Sequence, residues 1–380
     1  MQLDLYFKNV GQGDTIFLQW EQESKYALID CNLVRGGIRQ VINHIVRNKI
    51  RVFEFMLMSH PHSDHFSGFP ELLKYCDGEG IIIKKFIHTA TFDPKRLGQI
   101  FNKPIITEQE HYEAATSTVN REKHKDLLWK LFQLLDEQAR LNSRGFIKSV
   151  HTVNNDYKIE LEGDVQLKFL APYEYREFDC YIDGTYNTGE EEKLEITKFH
   201  ENNPKANYLS SFLQIYSASG GWQLLLCSDV TSYTLERIFK NDYEFRELQA
   251  RRPMAIQIPH HGSLNNHYPA FWEGIRDIDK SNVVVSVGNR YGHPNVVVID
   301  YFKDLVHSIH ATNYVGGFKE SYEDPTNKEL SLLGALLDFP GLSDDSESNN
   351  EPCLSETRCC EKHIRVLHQG GKAECQIIDV

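Results

Sequence analysis

The stretch Ser59-His60-Pro61-His62-Ser63-Asp64-His65 follows directly on the apolar run Val52–Met58. That run reads as a buried strand, so its end carries three imidazoles and a carboxylate within six residues. These are side chains that zinc and similar divalent ions take as ligands. Two histidines two positions apart on an irregular turn can grip one ion, and Asp64 and His65 then face a second. Single histidines are common on protein surfaces, but packing does not account for this density at a strand end.

Three further strand ends carry groups of the same kind. Leu224–Leu226 runs into Cys227-Ser228-Asp229, which places a carboxylate at the rim of a sheet, where α/β folds bind ligands. Alone, Asp229 reads as readily as the N-cap of the helix that follows. Ile256-Gln257-Ile258 ends in Pro259-His260-His261-Gly262-Ser263, where Gly262 permits a tight turn. The fourth loop, Ser286 to Pro294, contains Arg290, Tyr291 and His293, groups able to hold or protonate an oxyanion. In isolation the last two are ordinary surface loops. Together, four strands that end in such groups require a site along one edge of a sheet sandwich.

The rest of the chain supplies the scaffold. Leu3–Val10, Thr15–Trp20 and Lys25–Asp30 read as strands about the turn Gly11-Gln12-Gly13-Asp14, and Ile38–Val46 and Phe69–Tyr75 as helices. Strands follow at Lys158–Leu161 and Val165–Leu170, then a hairpin of Ser211–Tyr216 and Trp222–Cys227 about Gly220-Gly221. Helix and strand alternate from there to Val306, which favours an α/β layered fold in a single domain over residues 1–380. Leu127, Leu128, Leu131, Leu134 and Leu135 recur at helical spacing, and mark residues 106–145 as a helical insertion that serves as a lid, a docking surface for a protein partner, or padding. Phe178–Lys205 reads as a long loop, and residues 340–358 as a flexible segment before a C-terminal hairpin of Ile364–Leu367 and Cys375–Ile378. The isolated histidines His88, His111, His124 and His151 read as surface or helix residues.

Composition narrows the function classes. The chain has 380 residues, enough to bury a core without disulfides. Its eight cysteines are scattered, and the first residues lack the basic-then-apolar pattern of a secretory signal, so a reduced, cytoplasmic protein is expected. No apolar run approaches the roughly 18 residues that span a bilayer, and no membrane partner is expected. The net charge of −13 disfavours a general duplex-DNA binder, which presents a basic surface. It leaves local nucleic-acid chemistry open, because bound divalent ions add positive charge where the substrate sits.

In this order the elements resemble the metallo-β-lactamase superfamily, whose His-x-His-x-Asp-His signature is met by His60, His62, Asp64 and His65. More narrowly the chain is similar to the hydrolase domain of ComEC-type proteins and their soluble stand-alone relatives. The residues that carry this are Val10–Asp14, Leu28-Ile29-Asp30, Asp229, His260-His261-Gly262-Ser263 and Tyr291-Gly292-His293-Pro294. The resemblance runs from about residue 3 to Gly317, interrupted by the insertion. It implies an αββα sandwich and two divalent metal ions per chain, zinc in the first place and manganese in the second. His60 and His62 would hold one ion, Asp64, His65 and His261 the other, and Asp229 both, with Asp14 and Asp30 orienting ligands from behind. Asp64, His260 and His293 are the expected catalytic residues; beyond the ions, no cofactor is expected. Two departures stand out. Phe169-Leu170-Ala171-Pro172 lacks the histidine that many relatives carry before the bridging aspartate, so the first ion's fourth ligand is unassigned. Ser228 replaces the usual glycine.

The resemblance implies a phosphodiesterase or nuclease that uses a hydroxide held between two metals, acting on a phosphoester such as a single-stranded nucleic acid or a nucleotide. A hydrolase of a non-nucleotide ester or amide is the second reading, since fold does not fix the bond cleaved. A partner-dependent subunit of a bacterial complex, for instance in defence, is the third, with a metal-bound module that is no enzyme as its extreme form.

Overall fold

The computed structural model describes residues 2–21, 24–33, 36–89, 127–173, 205–288, 293–313, 361–369 and 372–379. Residues 106–126 of the expected insertion, most of the loop at 178–205, Arg290, Tyr291, and the segment 340–358 lie outside them.

Seven strands open the first sheet: β1 (Gln2–Phe7), β2 (Ile16–Trp20), β3 (Lys25–Ile29), β4 (Val52–Phe53), β5 (Phe55–Met58), β6 (Ile82–His88) and β7 (Ile147–Thr152). The next seven form a second sheet of their own: β8 (Lys158–Glu162), β9 (Val165–Ala171), β10 (Phe212–Ser217), β11 (Trp222–Leu226), β12 (Arg252–Gln257), β13 (Asn282–Val285) and β14 (Ser308–Ala311), in the order β14-β13-β12-β11-β10-β9-β8. The chain then returns to the first sheet. The hairpin β15 (Lys362–Gln369) and β16 (Lys372–Asp379) adds to the free side of β1, with Leu5 opposite Ile364. The expected strand Val52–Met58 is split at Glu54: β4 pairs with β6, and β5 lies between β3 and β6.

Helices cover the outside. They are α1 (Gly37–Arg47), α2 (Ser63–Phe66), α3 (Phe69–Glu79), α4 (Leu127–Ser143), α5 (Ser232–Lys240), α6 (Asp242–Gln249), α7 (Pro269–Glu273) and α8 (Val296–Leu305). Strand side chains alternate between faces, and in β2, β3, β5 and β9 to β13 nearly every residue on both faces is buried, which is why these strands read as near-continuous apolar runs. Leu3, Leu5, Ile16, Leu18, Ala27, Ile29, Phe55 and Leu57 of the first sheet meet Leu167, Phe169, Leu213, Ile215, Leu224 and Val284 of the second in a core between the sheets. Their neighbours in sequence, Phe17, Leu28, Met56 and Met58, face outward onto Val41, Ile45, Leu72, Leu73, Leu131 and Leu134 of α1, α3 and α4. Leu225, Ile256, Val283 and Val285 do the same for α5 to α8 through Leu235, Ile238, Phe271 and Phe302. Three cores between four layers make the αββα sandwich that the resemblance implies.

Helix α4, the described part of the expected insertion, joins β6 to the parallel strand β7 and packs on α3 in the outer layer. His88 corrects the reading of the isolated histidines as surface or helix residues, whereas His151 is partly exposed. Both lie in strands, and His88 is buried in β6 with Nδ1 3.2 Å from Thr152 Oγ1. No helix among the described residues is long and apolar enough to cross a membrane.

The outer core of the first sheet also buries polar groups. His44 of α1 stacks on Phe17 at 4.0 Å between ring centroids, and its Nδ1 lies 3.0 Å from Lys8 Nζ. Burial, then the charges of Lys8 and Arg47, lower His44 from its ordinary 6.5 to about 3. The unfolded chain therefore takes up a proton between those values that the folded chain refuses, and stability falls as pH falls through that window. Melting temperature is expected to drop on acidification from pH 6.5 to about 4.5, and to drop less steeply in His44→Gln. Parallel slopes in the two proteins would show that His44 does not carry the effect.

Candidate metal centre

All the polar strand ends lie on one side of the sandwich. β3 and β5 run parallel in the first sheet, as do β11, β12 and β13 in the second. Their C-terminal ends deliver Asp30, the His60–His65 segment, Asp229, His260-His261 and Ser286, and His293 stands beside His260. The turn between β1 and β2 joins them, because β2 starts opposite the end of β3, at Ile16 and Ile29.

The sharp turns needed to aim these groups are visible in the backbone. Asp30, Ser228, His260 and His261 adopt left-handed conformations, with φ of 58°, 44°, 46° and 53°. Such a conformation costs a residue with a Cβ about 1–2 kcal/mol, a cost that glycine would avoid at position 228. The serine is used, however: its hydroxyl donates to Ser59 Oγ at 2.8 Å and lies 3.4 Å from His60 Nδ1.

Two donor clusters result. In one, His60 Nε2 and His62 Nδ1 lie 3.1 Å apart, and His60 Nε2 is 3.6 Å from Asp229 Oδ2. In the other, His261 Nε2 is 3.6 Å from Asp64 Oδ2, and His65 completes the set. Asp229 Oδ1 turns toward this second cluster, 3.3 Å from His65 Nε2 and 3.5 Å from His261 Nε2. Asp229 is 1% exposed, yet neither of its oxygens has a hydrogen-bond partner, and the same holds for His65 Nε2 and His261 Nε2. Buried carboxylates normally gather donors. Two ligands each 2.0–2.1 Å from a tetrahedral ion stand about 3.3 Å apart, so the spacings and the orphaned atoms both fit divalent ions. The N-cap reading of Asp229 fails: Thr231 Oγ1 caps α5, accepting from Thr234 N at 3.2 Å.

The charges are polarised to suit. Burial, with His65 adding to it, lowers His60 to about 3, and burial lowers His62 to about 4. Both are neutral near pH 7, the form that binds metal. Burial is the largest influence and opposes the protonation of His65 and His261, but the carboxylates together outweigh it, Asp229 first, with Asp30 and Asp64 on His65 and Asp64 and Asp14 on His261. His65 stays well above the usual imidazole range and His261 rises to about 9. Burial also works against ionised Asp229, and His260, His65 and His261 overcome it and hold the carboxyl far below its ordinary value. In the ion-free protein, protons thus sit where cations would neutralise Asp229, and metal uptake must release them.

Behind the donors stands a layer of positioning groups. Asp30 accepts from His65 Nδ1 at 2.7 Å, from Ser59 Oγ at 2.6 Å and from Ser59 N at 2.7 Å. His261 Nδ1 is 3.2 Å from Ser286 O. Asp14 accepts from Gln257 Nε2 at 2.7 Å, and Gln257 Oε1 in turn accepts from Ser228 N at 3.2 Å. Asp14 and Asp30 were expected here; Ser59, Gln257, Asn266 and Ser286 were not assigned roles, since only a fold that brings residues 30, 59 and 228 together reveals them. Asn suits the left-handed backbone of position 30, so Asp30→Asn should fold while weakening the hold on His65. A loss of about 10–100-fold in metal affinity is expected, measured by competition with a chromophoric chelator. Unchanged affinity would deny Asp30 that role.

His293 lies at the rim, its ring centroid 5.1 Å from that of His260. Burial, with His260 and His261 nearby, lowers it to about 4. It is the titratable side chain among the described residues of the fourth loop, whose Ser286 meets His261 through its backbone oxygen.

No protein-family model matches the sequence, and no curated protein matches it either. Among solved structures the chain is similar to the metallo-β-lactamase fold protein YhfI from Bacillus subtilis, at 9% identity over 81% of this chain and 96% of that one, with a TM-score of 0.40. It is similar to yeast PDE1 at 12% identity, over 83% of this chain and 99% of that one, with a TM-score of 0.37. Human tRNase Z, short form, is similar at 12% identity over 81% and 91% of the two chains, with a TM-score of 0.36.

Proposed function

We infer that the protein is a metal-dependent hydrolase acting on phosphodiesters, and that two divalent ions, zinc before manganese, are held on either side of Asp229. The observation that carries this reading is the Asp229 carboxylate, buried, without a hydrogen bond, and facing a different set of ligand-type atoms with each oxygen. The closer kinship to ComEC-type hydrolase domains, read from the motifs, belongs to the same proposal.

His60, His62 and Asp229 would hold one ion, and Asp64, His65, His261 and Asp229 the other. When bound, such a pair of ions would lower the pKa of water and neutralise charge on a phosphoryl group. Asp64 is 27% exposed against 1% for Asp229, so Asp64 is the carboxylate that reaches solvent and orients the attacking water by accepting its proton. His293 is neutral near pH 7, so its remaining N–H can give the leaving oxygen a hydrogen bond but not a proton, which water would supply. His260 was expected to share that work, but its Nε2 points at Asp229 Oδ2. The net charge of −13 favours a nucleotide or a short single strand over duplex DNA as substrate.

The test is metal content together with zinc- or manganese-dependent hydrolysis of bis(p-nitrophenyl) phosphate, with the Asp64→Ala/His65→Ala double variant as control. About two ions per chain and turnover lost in the variant are expected. Two ions without turnover would redirect the search to ester and amide substrates, or to an enzyme that needs a partner. No ion after reconstitution would end the two-metal reading.

A further inference from the structure

We propose that Tyr208 and Tyr233 form an aromatic platform on the rim of the metal centre, on which the base of a nucleoside phosphodiester lies while its phosphate occupies the site. This rests on the reading of the site as a phosphodiesterase, and adds to it two residues that set substrate preference.

The carboxylates of the centre meet imidazoles alone. Among the described residues, every ion pair of Asp64 and Asp229 is with a histidine. Phosphoryl charge is thus left to the ions, and the rest of a substrate must be told apart by contacts of another kind.

Two segments bring rings to that rim. The stretch leading into β10 is tied to the histidine segment by Ser211 N, which donates to Ser59 O at 3.1 Å. In the same stretch Asn207 Nδ2 lies 3.5 Å from His260 Nδ1, and His260 Nε2 lies 3.4 Å from Asp229 Oδ2. Tyr208 is the next residue, in the short 3-10 helix Lys205–Leu209. Asn207 and Leu209 on either side of it are 0% and 1% exposed, whereas Tyr208 is half-buried, so its ring turns out of the core. The second ring comes from α5. Val230 and the helix cap Thr231 follow Asp229, and Tyr233 is the second residue of the helix. Its neighbours Thr234 and Leu235 are buried, and Tyr233 is half-buried. The two rings meet with centroids 6.3 Å apart and planes at 61°.

Seating α5 does not require an aromatic at position 233. Leu235 and Ile238 already pack the helix onto the second sheet, and Tyr233 lies on another side of it. In an edge-to-face pair, the ring that presents its edge keeps both of its own faces clear of its partner. Every base has such a face to lay against it, and stacking adds affinity without charge. That suits a chain with a net charge of −13.

The test compares thymidine 5′-(p-nitrophenyl phosphate) with methyl p-nitrophenyl phosphate. Both release the same phenolate, so the ratio of their kcat/KM values reports what the nucleoside adds. Wild type, Tyr208→Leu/Tyr233→Leu and Tyr208→Phe/Tyr233→Phe are loaded with zinc or manganese, and far-UV circular dichroism reports folding. Calorimetric titration with thymidine 5′-monophosphate and methyl phosphate repeats the comparison without turnover. Wild type should favour the nucleoside compounds by about 10-fold or more. The leucine variant should lose that preference, through KM in the kinetic assay, and the phenylalanine variant should keep it. The same preference in wild type and leucine variant would overturn the inference, whether both activities fell together or neither fell. A phenylalanine variant that lost the preference would also overturn it, since the hydroxyls and not the rings would be read. Hydrolysis of both esters by wild type without preference would overturn the inference and leave the phosphodiesterase reading standing. Hydrolysis of neither would overturn both.

Discussion

Asp229→Asn is expected to bring metal content from about two ions per chain to below one, and to reduce phosphodiester hydrolysis by about a thousandfold or more. The carboxylate is ringed by four imidazole nitrogens at 3.3 to 3.6 Å, and it is the group placed to touch both ions. Each ion is asked to supply several kcal/mol of charge stabilisation, and about 4 kcal/mol corresponds to a thousandfold in rate. The amide keeps the shape of the side chain but removes the charge that makes the site attractive to cations. Asp64→Asn gives the contrast. Asp64 is set beside the second cluster alone, so that variant should keep one ion. Elemental analysis of the two variants side by side checks the assignment. If Asp229→Asn retained both ions, the bridging role would be wrong whatever happened to activity.

Gly13→Ala should be among the most damaging small substitutions near the site. Gly13 has φ of 118°, and a Cβ there would lie 2.2 Å from the backbone oxygen of Asp64 and 2.5 Å from Asn32 Nδ2. Neither neighbour can retreat cheaply. Asp64 O accepts from Asp14 N at 3.2 Å, and Asn32 Nδ2 is bound to Gln12 O at 2.6 Å. The turn between β1 and β2 would have to lift off the histidine segment. A loss of about 2–4 kcal/mol is expected, a fall of about 3–5 °C in melting temperature for a chain of this length, accompanied by weaker metal binding. Gly78→Ala is the control, because a Cβ at that position in α3 meets nothing within 4 Å. It should be neutral or stabilising by up to about 1 kcal/mol. Equal melting shifts in the two variants would show that backbone entropy, and not the close approach at Asp64, decides the outcome.

Much of this was legible in the sequence because it is local. The strands of both sheets announce themselves as apolar runs, and the His60–His65 segment packs most of its donors into six residues. Asp229 could be read only jointly with the other strand ends. Its competing role as a helix cap dissolved once Thr231 was seen to do that work. Contacts between distant segments were not legible. Nothing in Ser59 or Ser228 says that their hydroxyls meet across 169 positions, and nothing in Asn266 says that its amide will join the Asp229 loop to His260. The C-terminal hairpin was readable as a hairpin, but its place beside β1 depends on pairing Asp4 with Arg365 across the whole chain. Helix α4 shows the opposite limit. Its periodicity gave a helix, while its position between two parallel strands comes from the sheet order.

The left-handed residues at Asp30, Ser228, His260 and His261 are four of the seven non-glycine residues with positive φ among those described. Together they represent a reserve of thermal stability that the protein forgoes, of order 1–2 kcal/mol at each position. Glycine or asparagine at these four places would relieve the backbone but remove side chains that build or hold the donor site, so the relief comes where function is lost. Screens that select on heat tolerance alone will therefore enrich inactive variants. The useful stabilising changes should come from positions such as Glu21, Lys49 and Asp277, which share the strained backbone but stand outside the donor clusters.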